Sequence, residues 1–131
     1  MKKVLVTGGT GMIGRSLKTV IPDAIYISSK DCDLCNQVSV NNLFTFINPD
    51  YVIHLAAKVG GVKANSDFLG DFYKENILIN TNVLEAAKKF KTKKVLSLLS
   101  TCIYPANPTY PLTEEQIHNG PPHFSNYGKR S

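Results

Sequence analysis

The sequence predicts an α/β protein built on a doubly wound parallel sheet, and three observations predict it. Short β-branched apolar runs alternate along the chain with stretches of helical periodicity. One run, Tyr51-Val52-Ile53-His54-Leu55, is almost continuously apolar, as a strand buried on both faces of a parallel sheet must be. The first run passes without a break into Gly8-Gly9-Thr10-Gly11-Met12-Ile13-Gly14, a glycine turn that opens a helix. Strands alternating with helices imply right-handed crossovers and a doubly wound α/β sheet.

In chain order, residues 3–7 are expected as the first strand and 12–21 as the first helix, stopped near Pro22. Residues 24–28 form a second strand through Ile25, Tyr26 and Ile27. Val38, Val40, Leu43, Phe44 and Ile47 recur at three- and four-residue steps, which predicts a helix over 38–47 ending before Pro49. The third strand covers 51–55. A long helix over about 70–91 offers Phe72, Ile77, Val83, Leu84 and Ala87 to the core, and a fourth strand runs over 95–100. Beyond it the chain is irregular and rich in proline and asparagine. No internal repeat or low-complexity segment is visible, and the 131 residues are expected to form one domain.

The order strand, glycine turn, helix is what a dinucleotide pyrophosphate needs. Gly8 permits the tight turn, Gly11 removes a Cβ that would hold backbone away from phosphate, and Gly14 lets the helix press inward. The helix start then offers free N–H groups and a partial positive charge to an anion. Gly8, Gly9, Thr10, Gly11, Met12, Ile13 and Gly14 are therefore the candidate cradle. A purely structural turn also uses glycine, so the triplet alone is weak. After the second strand stand Ser28, Ser29 and Lys30, where an NAD-specific protein usually carries a carboxylate for the ribose hydroxyls. Hydroxyls and an ammonium suit a 2′-phosphate instead, so NADP (as NADPH) is the expected cofactor. A polar turn with its lysine in water is the alternative. Asp33 and Leu34 follow, expected to receive the adenine amino group and to pack on its ring. Leu55, Ala56, Ala57 and Lys58 leave the third strand as a small-residue loop against which a cofactor can lie. Leu98, Leu99, Ser100, Thr101 and Cys102 leave the fourth, setting a hydroxyl and a thiol beside the expected nicotinamide.

Composition excludes several classes. Hydrophobic residues make up 43% and charged residues 19%, so the chain is neither disordered nor built to span a bilayer. No apolar run approaches the roughly 18–20 residues of a membrane helix, and the N-terminus enters a strand directly, against a cleaved signal peptide. Cys32, Cys35 and Cys102 are odd in number and irregularly spaced, which predicts free thiols and a cytoplasmic location. No second ligand pair follows Cys32 and Cys35 at zinc spacing, so no metal is expected. The net charge of +5 gathers in Lys88, Lys89, Lys91, Lys93 and Lys94 at a helix end, where it complements the helix dipole. Neither nucleic acid nor membrane is expected as a partner.

Four segments go further than a fold type. The opening glycine turn, the stretch Leu55-Ala56-Ala57-Lys58-Val59-Gly60-Gly61, the stretch Ser100-Thr101-Cys102-Ile103-Tyr104-Pro105, and the later Asn119-Gly120-Pro121-Pro122-His123 together resemble the GDP-L-fucose synthases. These are NADPH-dependent epimerase-reductases of the extended short-chain dehydrogenase group. The resemblance runs over nearly the whole chain but matches only the first part of such an enzyme. It implies a truncated Rossmann-type domain over 1–131 without a substrate domain, and GDP-4-keto-6-deoxy-D-mannose as the substrate of the full enzyme. It further implies epimerisation at C3 and C5 followed by reduction of the C4 ketone. Ser100 matches the serine that hydrogen-bonds the ketone oxygen, and Cys102 the cysteine that acts as epimerisation base. Without the family, a cysteine just past a buried strand reads as a small apolar filler. His118 and His123 match no acid of the family; its downstream histidine has no counterpart here.

The reductase pair departs from the pattern. The family carries Tyr-x-x-x-Lys on one helix face, the tyrosine protonating the C4 oxygen and the lysine binding the nicotinamide ribose. Here Tyr127 and Lys129 are two apart, which a helix would turn to nearly opposite sides. The better alignment sets Lys129 at the catalytic lysine and Tyr127 at an aromatic before the motif, with the catalytic tyrosine missing. The alternative is that Tyr127 substitutes for it in an irregular backbone. Two functions stay open at this point: the cofactor-binding part of an epimerase-reductase not competent alone, or a non-catalytic dinucleotide-binding or interaction module. An open sheet edge would favour a homo-oligomer.

Overall fold

The computed structural model describes residues 1–127. Four parallel strands, β1 (Val4–Thr7), β2 (Ile25–Ile27), β3 (Tyr51–His54) and β4 (Lys94–Ser97), form one sheet in the order β2-β1-β3-β4. The helices are α1 (Met12–Val20), α2 (Gln37–Ile47), α3 (Val62–Asp67) and α4 (Leu69–Lys89), followed by three short 3-10 turns. Right-handed crossovers through that strand order put α1 on one face of the sheet and α2 and α4 on the other.

By compactness the chain divides into two units, residues 1–57 with 76–98, and residues 58–75 with 99 onward. The first holds the sheet. Leu5, Val52 and Val95 stand in one cross-strand row and point, with Ile27, into a core closed by Val40, Phe44 and Ile47 of α2 and Val83, Ala86 and Ala87 of α4. Phe44 is fully buried, its ring centroid 6.0 Å from that of Phe90. Asn36 caps α2 by accepting the Ser39 N–H, and left-handed Asn48 closes it before Pro49, where the sequence predicts the end. Left-handed Lys91 closes α4, with the Thr92 N–H donating to the Ala87 carbonyl at 2.9 Å.

Several expectations need correction. Leu84 is exposed, not core, and Val38, counted in the periodicity of α2, is exposed as well. On α2 the inward stripe is 40, 44 and 47, and Val38 lies about 200° around from Val40. On α4 the stripe is 82, 83, 86 and 87, which turns Leu84 outward. The fourth strand ends at Ser97, three residues short of the predicted end, and Ser100 caps a 3-10 turn (Thr101–Ile103). Helix α3 was not expected: six residues are too few to show a periodicity.

In the second unit, Lys58 lies 2.9 Å from Glu75 and over the Phe72 ring, and Gly60 packs so closely that a Cβ would stand 2.9 Å from Phe72. Further on, the Ala106 N–H donates to the Pro121 carbonyl, and Gln116 bridges Thr109 and Pro111. His123 caps the turn at Phe124–Asn126 through Ser125, a structural role. No helix among the described residues is long and apolar enough to cross a membrane.

Candidate functional site

Strand order reverses between β1 and β3, and in open α/β sheets ligands bind outside the carboxyl ends at such a reversal. Gly8 leaves β1 there with φ +70°, a conformation that disfavours any side chain. A Cβ on Gly8 would stand 2.8–2.9 Å from Ala56 N, Ala56 Cα and Leu55 C, so the turn after β1 lies directly on the loop after β3. Gly14 presses α1 inward, but against the turn itself: its Cβ would meet the Gly9 backbone at 2.6–2.7 Å. Gly9 in turn donates its N–H to the Ile27 carbonyl at 2.8 Å, joining the turn to β2.

The turn delivers the chain into α1 through Gly11, an exposed N-cap that supplies no side-chain cap, and the first turn carries no acidic residue. Met12 and Ile13 are exposed. The first-turn N–H groups therefore keep their capacity for an outside acceptor, and an anion fits them. Thr10 is exposed beside them, its carbonyl accepting the Arg15 Nε–H at 2.8 Å.

The loop after β2 is organised by a carboxylate overlooked in the sequence. The Ser28 N–H and hydroxyl both donate to Asp31 Oδ2, at 2.8 and 2.7 Å, and these bonds hold the Asp31 carboxyl below its ordinary pKa. The Ser28 hydroxyl is thus engaged, while Ser29 and Lys30 are exposed at the loop tip. Asp33 is exposed, with Oδ1 accepting the Cys35 N–H at 2.9 Å. Leu34, expected to pack on an adenine ring, has its side chain in the core, and Asn82 Nδ2 donates to its carbonyl at 2.9 Å. Cys32 lies in the core, and that burial raises its thiol pKa. On β3's exit Leu55 donates its N–H to the Thr7 carbonyl at 3.2 Å, Ala56 is half-buried and Ala57 exposed; Leu98 is exposed past β4.

The remaining expected residues belong to the second unit. Lys58 is paired as described. Leu99, Ser100 and Thr101 are exposed, and Cys102 is a half-buried free thiol. Ser100 Oγ accepts the Cys102 N–H at 3.2 Å, so the serine shapes the turn that carries the cysteine. Tyr127 follows the last 3-10 turn in right-handed helical backbone with its ring exposed, and Lys129 lies outside the described residues.

A parallel sheet with a glycine-rich turn at its reversal and an uncapped helix start behind it is a nucleotide-binding α/β protein of Rossmann type. The chain belongs to the NAD dependent epimerase/dehydratase family, whose model matches residues 4–130. It is 49% identical over 135 residues to a probable GDP-L-fucose synthase of Drosophila melanogaster, covering 98% of this chain and 42% of that protein. It is 45% identical to the GDP-L-fucose synthase of Dictyostelium discoideum, over 97% of this chain and 42% of the relative. Among solved structures, the NADP-bound GDP-L-fucose synthetase of Naegleria fowleri superposes with a TM-score of 0.85 at 38% identity, over 98% of this chain and 40% of that one. The chain thus spans about two-fifths of the length of these relatives.

Proposed function

We propose that this chain binds NADP(H) at the turn from Gly8 to Gly14 and is the cofactor-binding part of a GDP-L-fucose synthase. In that enzyme GDP-4-keto-6-deoxy-D-mannose is epimerised at C3 and C5 and reduced at C4. The observation that carries the reading is the open start of α1, where Gly11 brings neither a side chain nor a cap, held beside the tight contact of the Gly8 turn with Ala56. When bound, the cofactor supplies the hydride for the ketone reduction.

The chain's own residues take the remaining tasks. Met12 and Ile13 amides bind the pyrophosphate, Lys30 faces the 2′-phosphate, and Asp33 marks the adenine side. Leu55, Ala56 and Ala57 form the floor with Leu98, while Lys58, Leu99 and Thr101 are assigned to the cofactor by the resemblance alone. Ser100 donates to the ketone oxygen where charge develops, and Cys102 removes the C3 and C5 protons. By the resemblance, Lys129 would hold the nicotinamide ribose. Tyr127, two residues from Lys129, does not supply the Tyr-x-x-x-Lys geometry, so this chain alone is not a competent reductase. An odd number of irregularly spaced cysteines suits the reducing cytoplasm that we assign to it.

A second reading, a binding or interaction module that self-associates, is favoured by β4, an edge strand with Leu96 and Leu98 each about half exposed. Sedimentation of a single monomeric species across a concentration series contradicts it. Calorimetry tests the main reading: NADPH binds, and more tightly than NADH, while NADPH is not oxidised with the keto sugar. Absence of NADPH binding refutes the cofactor assignment, and turnover at an ordinary enzyme rate refutes the assignment of the C-terminal residues.

A further inference from the structure

Two buried polar side chains at the strand ends have no part in the scheme above. Thr7 ends β1, immediately before Gly8, and is fully buried; His54 ends β3, two residues before Ala56, and is 3% exposed. The pair face each other across the sheet, with Thr7 Oγ1 2.7 Å from His54 Nδ1. The other ring nitrogen, Nε2, lies 3.0 Å from Asn80 Oδ1 on α4. On the far side of the threonine, the Ala56 N–H donates to Thr7 Oγ1 at 3.3 Å.

For an uncharged ring, one assignment of protons satisfies every link. With an amide oxygen facing it, Nε2 carries the hydrogen and donates to Asn80, which leaves Nδ1 as an acceptor. The Thr7 hydroxyl must then donate to Nδ1, and its oxygen keeps a lone pair directed at the Ala56 N–H. Burial holds the His54 pKa below the ordinary imidazole value, in keeping with the uncharged ring this pattern needs. The chain of bonds ends on Ala56, whose N and Cα would meet a Cβ on Gly8 at 2.8 and 2.9 Å.

Resting on the cofactor reading, we propose that His54 is a positioning residue of the dinucleotide site: by fixing the direction of the Thr7 hydroxyl it holds the Ala56 amide against the Gly8 turn. It thereby sets the spacing between the Gly8 turn that leads into α1 and the Ala56 loop that would floor the dinucleotide. A histidine that merely fills the core would contribute to stability and leave the affinity of the folded protein unchanged. The two roles therefore separate experimentally.

The test uses the full chain, with NADPH as the probe, and reads affinity and ring tautomer together. Nitrogen-15 NMR of the wild-type protein near neutral pH shows His54 as the Nε2–H tautomer, and saturating NADPH shifts its Nδ1 resonance. Thr7→Val and His54→Phe each weaken NADPH binding about fivefold to tenfold, the effect of one lost buried hydrogen bond. The double variant is no weaker than the worse single variant, because both break one relay. Thr7→Ser, which keeps the hydroxyl, restores most of the affinity lost in Thr7→Val. An Nδ1–H tautomer, an Nδ1 resonance indifferent to bound NADPH, unchanged affinity in folded Thr7→Val, or additive losses in the double variant each overturn the proposal. The NMR arm decides the matter even if the substituted proteins fail to fold. Wild-type protein that does not bind NADPH overturns the cofactor reading itself, whatever the tautomer.

Discussion

Replacing Gly8 by alanine should destabilise the fold before any ligand is added. The φ of +70° costs an L residue about 1–2 kcal/mol. The new Cβ would stand 2.8–2.9 Å from three backbone atoms of Leu55 and Ala56, none at the flexible end of a side chain. Such overpacking adds about 1–3 kcal/mol. The sum, about 2–5 kcal/mol, is a large share of the roughly 5–15 kcal/mol that holds a domain together. At about 3–5 °C per kcal/mol for a chain of this length, the melting midpoint falls by roughly 6–25 °C. Thermal unfolding followed by circular dichroism reads this directly. Gly11→Ala is the paired control: φ is −70° and the Cβ meets only the Gly8 carbonyl, at 3.2 Å. Its stability changes by about 1 kcal/mol or less, while NADPH binding weakens because the methyl stands where phosphate approaches. If Gly8→Ala melts within about 2 °C of the wild type, the close contact between the two strand-end loops is wrong.

Other expected outcomes concern packing, pH and cofactor choice. Phe44→Ala, which empties the centre of the core beside Phe90, should lower unfolding free energy by about 3–5 kcal/mol in urea titration; a loss under about 1 kcal/mol contradicts the described core. Because the folded His54 pKa is depressed below 6.5, the unfolded chain binds more protons just under that value. His54's contribution to stability is therefore present above about 6.5 and lost as pH falls through the folded pKa. Melting midpoints should decline from about pH 6.5 downward in the wild type and less so in His54→Phe; parallel curves contradict this. Lys30→Glu should shift the NADPH-to-NADH affinity ratio toward NADH by about tenfold or more, and an unchanged ratio in calorimetry removes Lys30 from the 2′-phosphate site.

The parts of the fold legible in the sequence are those whose periodicity reflects burial. β3 reads as a strand because parallel neighbours cover it, and α2 ends where Asn48 and Pro49 say it should. Periodicity misled at Val38 and Leu84, since apolar residues beside a buried stripe look the same as residues within it. The glycine turn was legible because β1, turn and α1 are contiguous. Its partner was not: nothing in residues 55 and 56 announces that Gly8 rests on them, a contact that depends on the register of β1 with β3. A leucine in a loop does not reveal which way it faces, and Leu34 faces the core. Asp31 and His54 were overlooked for a related reason, as their roles exist only through Ser28, Thr7 and Asn80.

A residue-resolved titration of the full chain with NADPH, followed by amide nitrogen–proton NMR, tests most directly that the turn from Gly8 to Gly14 holds a dinucleotide. The account predicts saturable shifts that are largest at the amides of Gly11, Met12 and Ile13, with smaller ones at Ala56 and Lys30. Saturation with these amides unmoved, or shifts confined to other parts of the chain, would contradict it.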